Sequence, residues 1–161
     1  MKKVLCVLAL TMLIFTACGK SGNNSGNKGL SYAVGNAVIY PGEDFSEAYG
    51  ILGEPDKYTE GASCYFDGMD KVFTYEGFEV RTYPVGDKDY VQDLCFSSDK
   101  YKTDKGVTVG SALEDVIEAY GEGYELNGKM YRYDMGDNQY IYFFVMNDVV
   151  KYFGYAEDVQ N

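Results

Sequence analysis

The chain contains no histidine. That absence removes His-based catalytic triads, most zinc sites and the usual general base near neutral pH. Tryptophan is absent too, so 17 tyrosines and nine phenylalanines carry the aromatic content. Basic residues are scarce, with 14 Lys and Arg against 25 Asp and Glu and a formal net charge of −11. Taking away Lys2 and Lys3 with the N-terminal segment makes it −13. So acidic a chain excludes nucleic acid as a partner, because the phosphate backbone is itself polyanionic. It also argues against electrostatic adhesion to anionic lipid. There are four cysteines. Cys64 and Cys95 have no histidine to activate them as nucleophiles, and no pair of carboxylates is distinguished by an apolar setting. The chain therefore reads as a non-enzyme without a cofactor.

The N-terminus supplies the one long apolar run. Lys2 and Lys3 precede Val4–Phe15, about a dozen residues that are almost all apolar. This is the layout of a secretory signal; the run is too short to span a hydrocarbon core of roughly 30 Å. Small residues Thr16 and Ala17 lead to Cys18, and this ending resembles the bacterial lipobox. The resemblance implies cleavage after residue 17 and lipidation of Cys18, with Cys6 lost in the removed segment. Residues 18–30 open as CGKSGNNSGNKG, a flexible tether. Two acyl chains anchor stably where one is marginal. The expected organisation is a signal peptide over 1–17, lipidated cysteine and tether over 18–30, and one domain over 31–161.

Within that domain two octapeptides nearly match: EDFSEAYG at 43–50 and EDVIEAYG at 114–121. In the second, Ser111 and Glu114 form an S-x-x-E capping box. Leu113, Val116, Ile117 and Tyr120 make one apolar helical stripe that Gly121 ends. In the first, Phe45, Ala48, Tyr49 and Leu52 give the same stripe, ended by Gly50 or Gly53. Phe66-Asp67-Gly68-Met69-Asp70 parallels Tyr133-Asp134-Met135-Gly136-Asp137, and both read as hairpin turns. Their aspartates lack the further oxygen ligands of an EF-hand loop, and turn chemistry explains them without a metal. Strands are expected over 71–75, 78–83, 90–96, 139–145 and 149–155. The expected fold is α+β: two tandem helix plus antiparallel-sheet repeats, about 31–104 and 105–161, forming one continuous curved sheet with helices on one face.

The last hairpin sets a candidate surface. With Asn147-Asp148 as a two-residue turn, Val145 opposes Val150 and the pairing continues outward. One face then holds Ile141, Phe143, Val145, Val150, Tyr152 and Gly154. The other holds Tyr140, Tyr142, Phe144, Lys151, Phe153 and Tyr155, and Lys151 marks it as the solvent side. A one-residue slip exchanges the two sets. Two readings of the second face stay open: an exposed partner-binding surface, or packing against the first half's sheet or a loop. Pairing of Cys64 with Cys95 also stays open, since an extracytoplasmic disulfide is chemically allowed but the strand reading puts them on non-neighbouring strands.

The stretch VTVGSALEDVIEAYGEGY and the paired helix-then-strand units resemble beta-lactamase-inhibitor-protein-like domains. They are similar as well to outer-membrane assembly lipoproteins of the small-protein-A type, and the region 32–158 to lipoproteins of gut Firmicutes. The resemblance implies a curved sheet whose aromatic face grips a protein. It carries over no contact residue and does not imply beta-lactamase inhibition. The expected function is a lipid-anchored module on the outer face of the cell membrane that binds a protein or peptide partner. The alternative is a structural or assembly component of an envelope complex.

Overall fold

A computed structural model describes residues 30–159. The signal peptide (1–17), Cys18 and all but the last residue of the tether lie outside the described residues. The described residues start with a small hairpin, β1 (Tyr32–Val34) and β2 (Ala37–Ile39), and then helix α1 (Ser46–Leu52). Strands β3 (Lys57–Ala62), β4 (Met69–Tyr75), β5 (Phe78–Val85) and β6 (Lys88–Phe96) follow. A long loop leads to helix α2 (Leu113–Tyr120) and to β7 (Glu125–Asn127), β8 (Met130–Gly136), β9 (Gln139–Met146) and β10 (Val149–Glu157). β3 to β10 form one antiparallel sheet of eight strands in the order β3-β4-β5-β6-β10-β9-β8-β7.

The expected fold class is corrected by this topology. Among the described residues the protein is mostly antiparallel β, a single eight-stranded sheet and a two-stranded one, rather than an α+β pair of tandem helix-plus-sheet repeats. The helices have only seven and eight residues, too few to be stable without the sheet beneath them. The matching octapeptides are also read in different frames. α1 starts three residues into EDFSEAYG and takes in its glycine, Gly50, whereas α2 starts one residue before EDVIEAYG and stops at Gly121. The helix ends correspond instead at Gly53 and Gly121. Both have positive φ, 77° and 85°, and their carbonyls accept hydrogen bonds from the Tyr75 and Tyr133 hydroxyls at 3.1 and 3.0 Å. The two Asp-containing turns are likewise not equivalent: residues 63–68 join β3 to β4, whereas 137–138 join β8 to β9.

Capping differs by one residue from the sequence expectation. Asp115, not Glu114, reaches back, its Oδ2 accepting the Ala112 N–H at 2.9 Å. Ser111 Oγ accepts instead from the Thr108 N–H at 3.2 Å. The segments ahead of both helices add to the two central strands. Gly42 N–H donates to the Val91 carbonyl at 2.6 Å and Phe45 N–H to that of Asp89 at 2.9 Å; Gly110 N–H donates to the Val150 carbonyl at 2.9 Å. These bonds lay both helices on the same face of the sheet. That face holds the core: Phe73, Phe78, Val80, Val91, Leu94, Phe96, Ile141, Phe143 and Val150 pack under Ile39, Phe45, Val107 and Val116. Tyr32 from the first hairpin closes it, its ring centroid 4.3 Å from that of Phe96 and its hydroxyl donating to the Lys102 carbonyl at 2.7 Å.

Candidate functional site

The candidate surface is the other face of the sheet, and the register of β10 decides which residues reach it. Met146 opposes Val149 and Val145 opposes Val150 across the Asn147-Asp148 turn. Both turn residues have positive φ, 55° and 58°, as a two-residue hairpin requires. Lys151 then forms a β-bulge, so that Tyr152 pairs with Phe144 and Phe153 with Phe143. The extra residue reverses the alternation from Tyr152 onward. Val150 is held on its other side by Ser111, whose carbonyl accepts the Val150 N–H at 2.9 Å. Lys151 is left exposed at the bulge.

The expected surface set is therefore split. Tyr140, Tyr142 and Phe144 lie on the face opposite the helices, but Phe153 and Tyr155 do not. Those two are core residues, 0 and 3% exposed, packed beside Phe96 and Ile141. Tyr152 and Gly154, assigned by sequence to the covered face, take their places. Tyr142 lies on the opposite face yet is only 4% exposed, because its ring lies flat on Gly154. A Cβ there would come within 2.7 Å of the Tyr142 ring atom Cε1.

Beyond Gly154 the Tyr142 hydroxyl donates to Asp93 Oδ1 on β6 at 2.8 Å, and Arg81 on β5 donates from Nη1 to Asp93 Oδ2 at 3.1 Å. Asp93 and Arg81 are cross-strand partners. Along β9 and β10 the rings form a row. Phe144 and Tyr152 stack at 4.6 Å with planes 2° apart, and Tyr142 lies 6.3 Å from Tyr152 and 6.1 Å from Tyr140. Arg132 on β8 sits over Tyr140, 3.7 Å from the ring centroid, and is tied to Asp158 Oδ1 at 3.1 Å. Arg81, Asp93, Cys95, Met130, Tyr140 and Tyr152 line a groove of about 540 Å³ across the middle of this face.

Sequence reasoning missed Arg81, Asp93 and Tyr152. The first two carried a weak signal: they are opposite charges on consecutive expected strands, and in register such residues can meet across neighbouring strands. Cys95 is buried beside them, and burial pushes its thiol up to about 11, so it is not a nucleophile at neutral pH. Cys64 is exposed in the β3–β4 connection, and both thiols are free, which settles the pairing left open by the sequence. Asp134 does turn work, its Oδ1 accepting the Gly136 N–H at 2.9 Å. Among the described residues no group of three His, Cys, Asp or Glu is placed to hold a metal ion.

Burial pushes the Asp93 carboxyl up to about 6, against the opposing pull of the Arg81 guanidinium and the Tyr142 hydroxyl. An acid with a raised folded pKa holds its proton more tightly in the folded chain than in the unfolded one. Its contribution to stability is therefore greatest below the unfolded value of 3.8 and is lost as pH rises through about 6. In Asp93→Asn that titration is gone. Between pH 4 and pH 7 the stability difference between the native chain and the variant should move by about 2–3 kcal/mol in favour of the variant. Urea unfolding at each pH measures it, and parallel pH profiles would mean that Asp93 is solvated.

No family model matches the chain, and no curated protein does. Among solved structures, an extracellular protein containing an SCP domain, from Bacillus anthracis str. Ames, is similar in fold, with a TM-score of 0.50 at 16% identity. The match covers 73% of this chain and 44% of that one, so the chain spans less than half of that protein's length. At this identity the likeness concerns the fold alone. Among the described residues, no helix is long and apolar enough to cross a membrane.

Proposed function

We propose that the chain is a lipid-anchored extracytoplasmic binding module that engages a protein or peptide partner through the sheet face around Tyr140, Phe144 and Tyr152. The observation that carries this reading is the row of aromatic side chains on the face that the helices leave open. Contiguous apolar surface of this kind marks interaction sites on soluble domains. Tyrosine, phenylalanine and arginine are the residue types enriched at interfaces, and Arg81 and Arg132 border this row. Anchoring through Cys18 and the tether belongs to the same reading, as does the sequence resemblance to envelope lipoproteins. Together they hold the face at a membrane surface, where a neighbouring envelope protein is the available partner.

Phe144→Lys and Tyr152→Lys test it. Capture of the partner from native membranes should fall by at least roughly tenfold, as for the loss of one interface hot spot. Both variants should stay folded, losing no more than about 0.5–1.5 kcal/mol of stability, the contribution of the one aromatic pair they break. Unfolding of either variant would assign the row to the core. Recovery of a complex at fixed stoichiometry would favour a permanent assembly component over a binding module.

A further inference from the structure

A second cavity lies on the helix side of the sheet, where α1 approaches β3, β4 and the β5–β6 turn. We propose that this cleft, about 750 Å³ in volume, seats a lysine side chain of a basic peptide segment. It lies on a different face from the proposed partner surface and does not depend on that reading.

The walls of the cleft are aromatic. Phe73 is its hub, with ring centroids of Phe45, Tyr58 and Tyr49 at 5.0, 5.3 and 5.7 Å. The three rings are inclined to Phe73 by 52–61°; Phe45 and Phe73 are buried and form the floor, while Tyr49 is half-buried and Tyr58 exposed, so these two offer ring surface to the cleft. Pro55 completes the apolar lining. Such walls suit the four-carbon stem of a lysine, and ring faces within about 6 Å attract its ammonium group.

The polar lining has a definite sign. Two lysines border the cleft and each is already matched, Lys71 to Asp89 at 2.8 Å and Lys88 to Asp44 at 2.7 Å. The Lys88 ammonium and the Ser46 N–H hold Asp44 down at about 2, so it is ionised throughout the physiological range. Glu54 and Asp87 then remain at the rim, both exposed, and among the described residues no ion pair uses either. A cation is the charge that complements this excess, and the formal net charge of −11 draws cations from a distance.

Geometry favours a peptide over a free amine. Tyr58 belongs to β3, which among the described residues is an edge strand with one side unpaired. An extended segment laid along that edge gains main-chain hydrogen bonds while alternate side chains turn toward the Tyr58 side.

The test uses the full chain and two probe peptides, acetyl-Gly-Lys-Gly-amide and its norleucine counterpart, which has the same stem without the charge. Binding is followed by NMR shift perturbation. The lysine peptide should bind roughly tenfold more tightly than the norleucine peptide. Free butylammonium should bind more weakly than the lysine peptide. Shifts should concentrate at residues 45–58, 71–73 and 87–89. In a Glu54→Gln/Asp87→Asn variant the preference for lysine should drop to roughly twofold or less, with the unfolding midpoint unchanged because both side chains are exposed. Equal affinity for the two peptides would overturn the proposal, as would butylammonium binding as tightly as the lysine peptide. Shifts centred on the aromatic face, or no saturable binding, would overturn it too.

Discussion

Replacing Phe153 with alanine should remove about 3–5 kcal/mol of stability, the usual cost of emptying a fully buried phenylalanine site. Phe153 is 0% exposed, and its ring stacks on Phe96 at 5.0 Å and on Phe143 at 6.2 Å. These three rings come from the two central strands and from β9, and Phe153 is paired in register with both of the others, so the backbone around the site has little room to collapse. Tyr152, one residue earlier, should behave differently. It is half-buried and its main neighbour is the stacked ring of Phe144. Tyr152→Ala should cost about 0.5–1.5 kcal/mol, in the range of a single aromatic pair. Urea unfolding of the two variants measures the contrast. Equal losses, or a larger loss at Tyr152, would mean that β10 has no bulge at Lys151.

Gly154→Val should be nearly as damaging, at about 3–4 kcal/mol. Overpacking alone costs about 1–3 kcal/mol. Here the added atoms meet a ring that cannot swing aside without losing its hydrogen bond to the Asp93 carboxylate, and a bond to a charged group contributes about 1.5–3 kcal/mol. The contact specifies its own control. In a Tyr142→Ala background the ring is gone, so the further effect of Gly154→Val should shrink to about 1 kcal/mol or less. Additive effects in the double variant would show that Gly154 and Tyr142 do not touch.

Much of the sheet was legible in the sequence because period-two alternation and turn chemistry are local signals. Lys71–Tyr75, Phe78–Tyr83 and Tyr90–Phe96 correspond to β4, β5 and β6, and the Asn147-Asp148 turn is where the sequence placed it. Three features were not legible. The octapeptide likeness suggested a repeated unit, but helix frame is set by which residues the sheet can bury, and that differs by three residues between Gly50 and Gly53. The bulge at Lys151 sits beside Val150, whose N–H and carbonyl are both taken by residues 110–111, a contact between segments about 40 residues apart. The Arg81–Asp93–Tyr142 cluster needs three strands in register, with Gly154 low enough for a ring to cross it. A pattern read along one strand contains none of that information. Tyr140 and Phe144 were placed correctly because they precede the bulge, and Phe153 and Tyr155 were misplaced because they follow it.

The proposed partner surface is the face bearing Tyr140, Phe144 and Tyr152. Photo-crosslinking in native membranes tests it directly, with benzoylphenylalanine introduced at 144, at 152 or, as a control on the helix side, at Glu118, which is exposed on α2. The expected result is a discrete adduct of one mass from positions 144 and 152 and none from 118. No adduct from either sheet position, or the same adduct from all three, would contradict the assignment of the partner to this face.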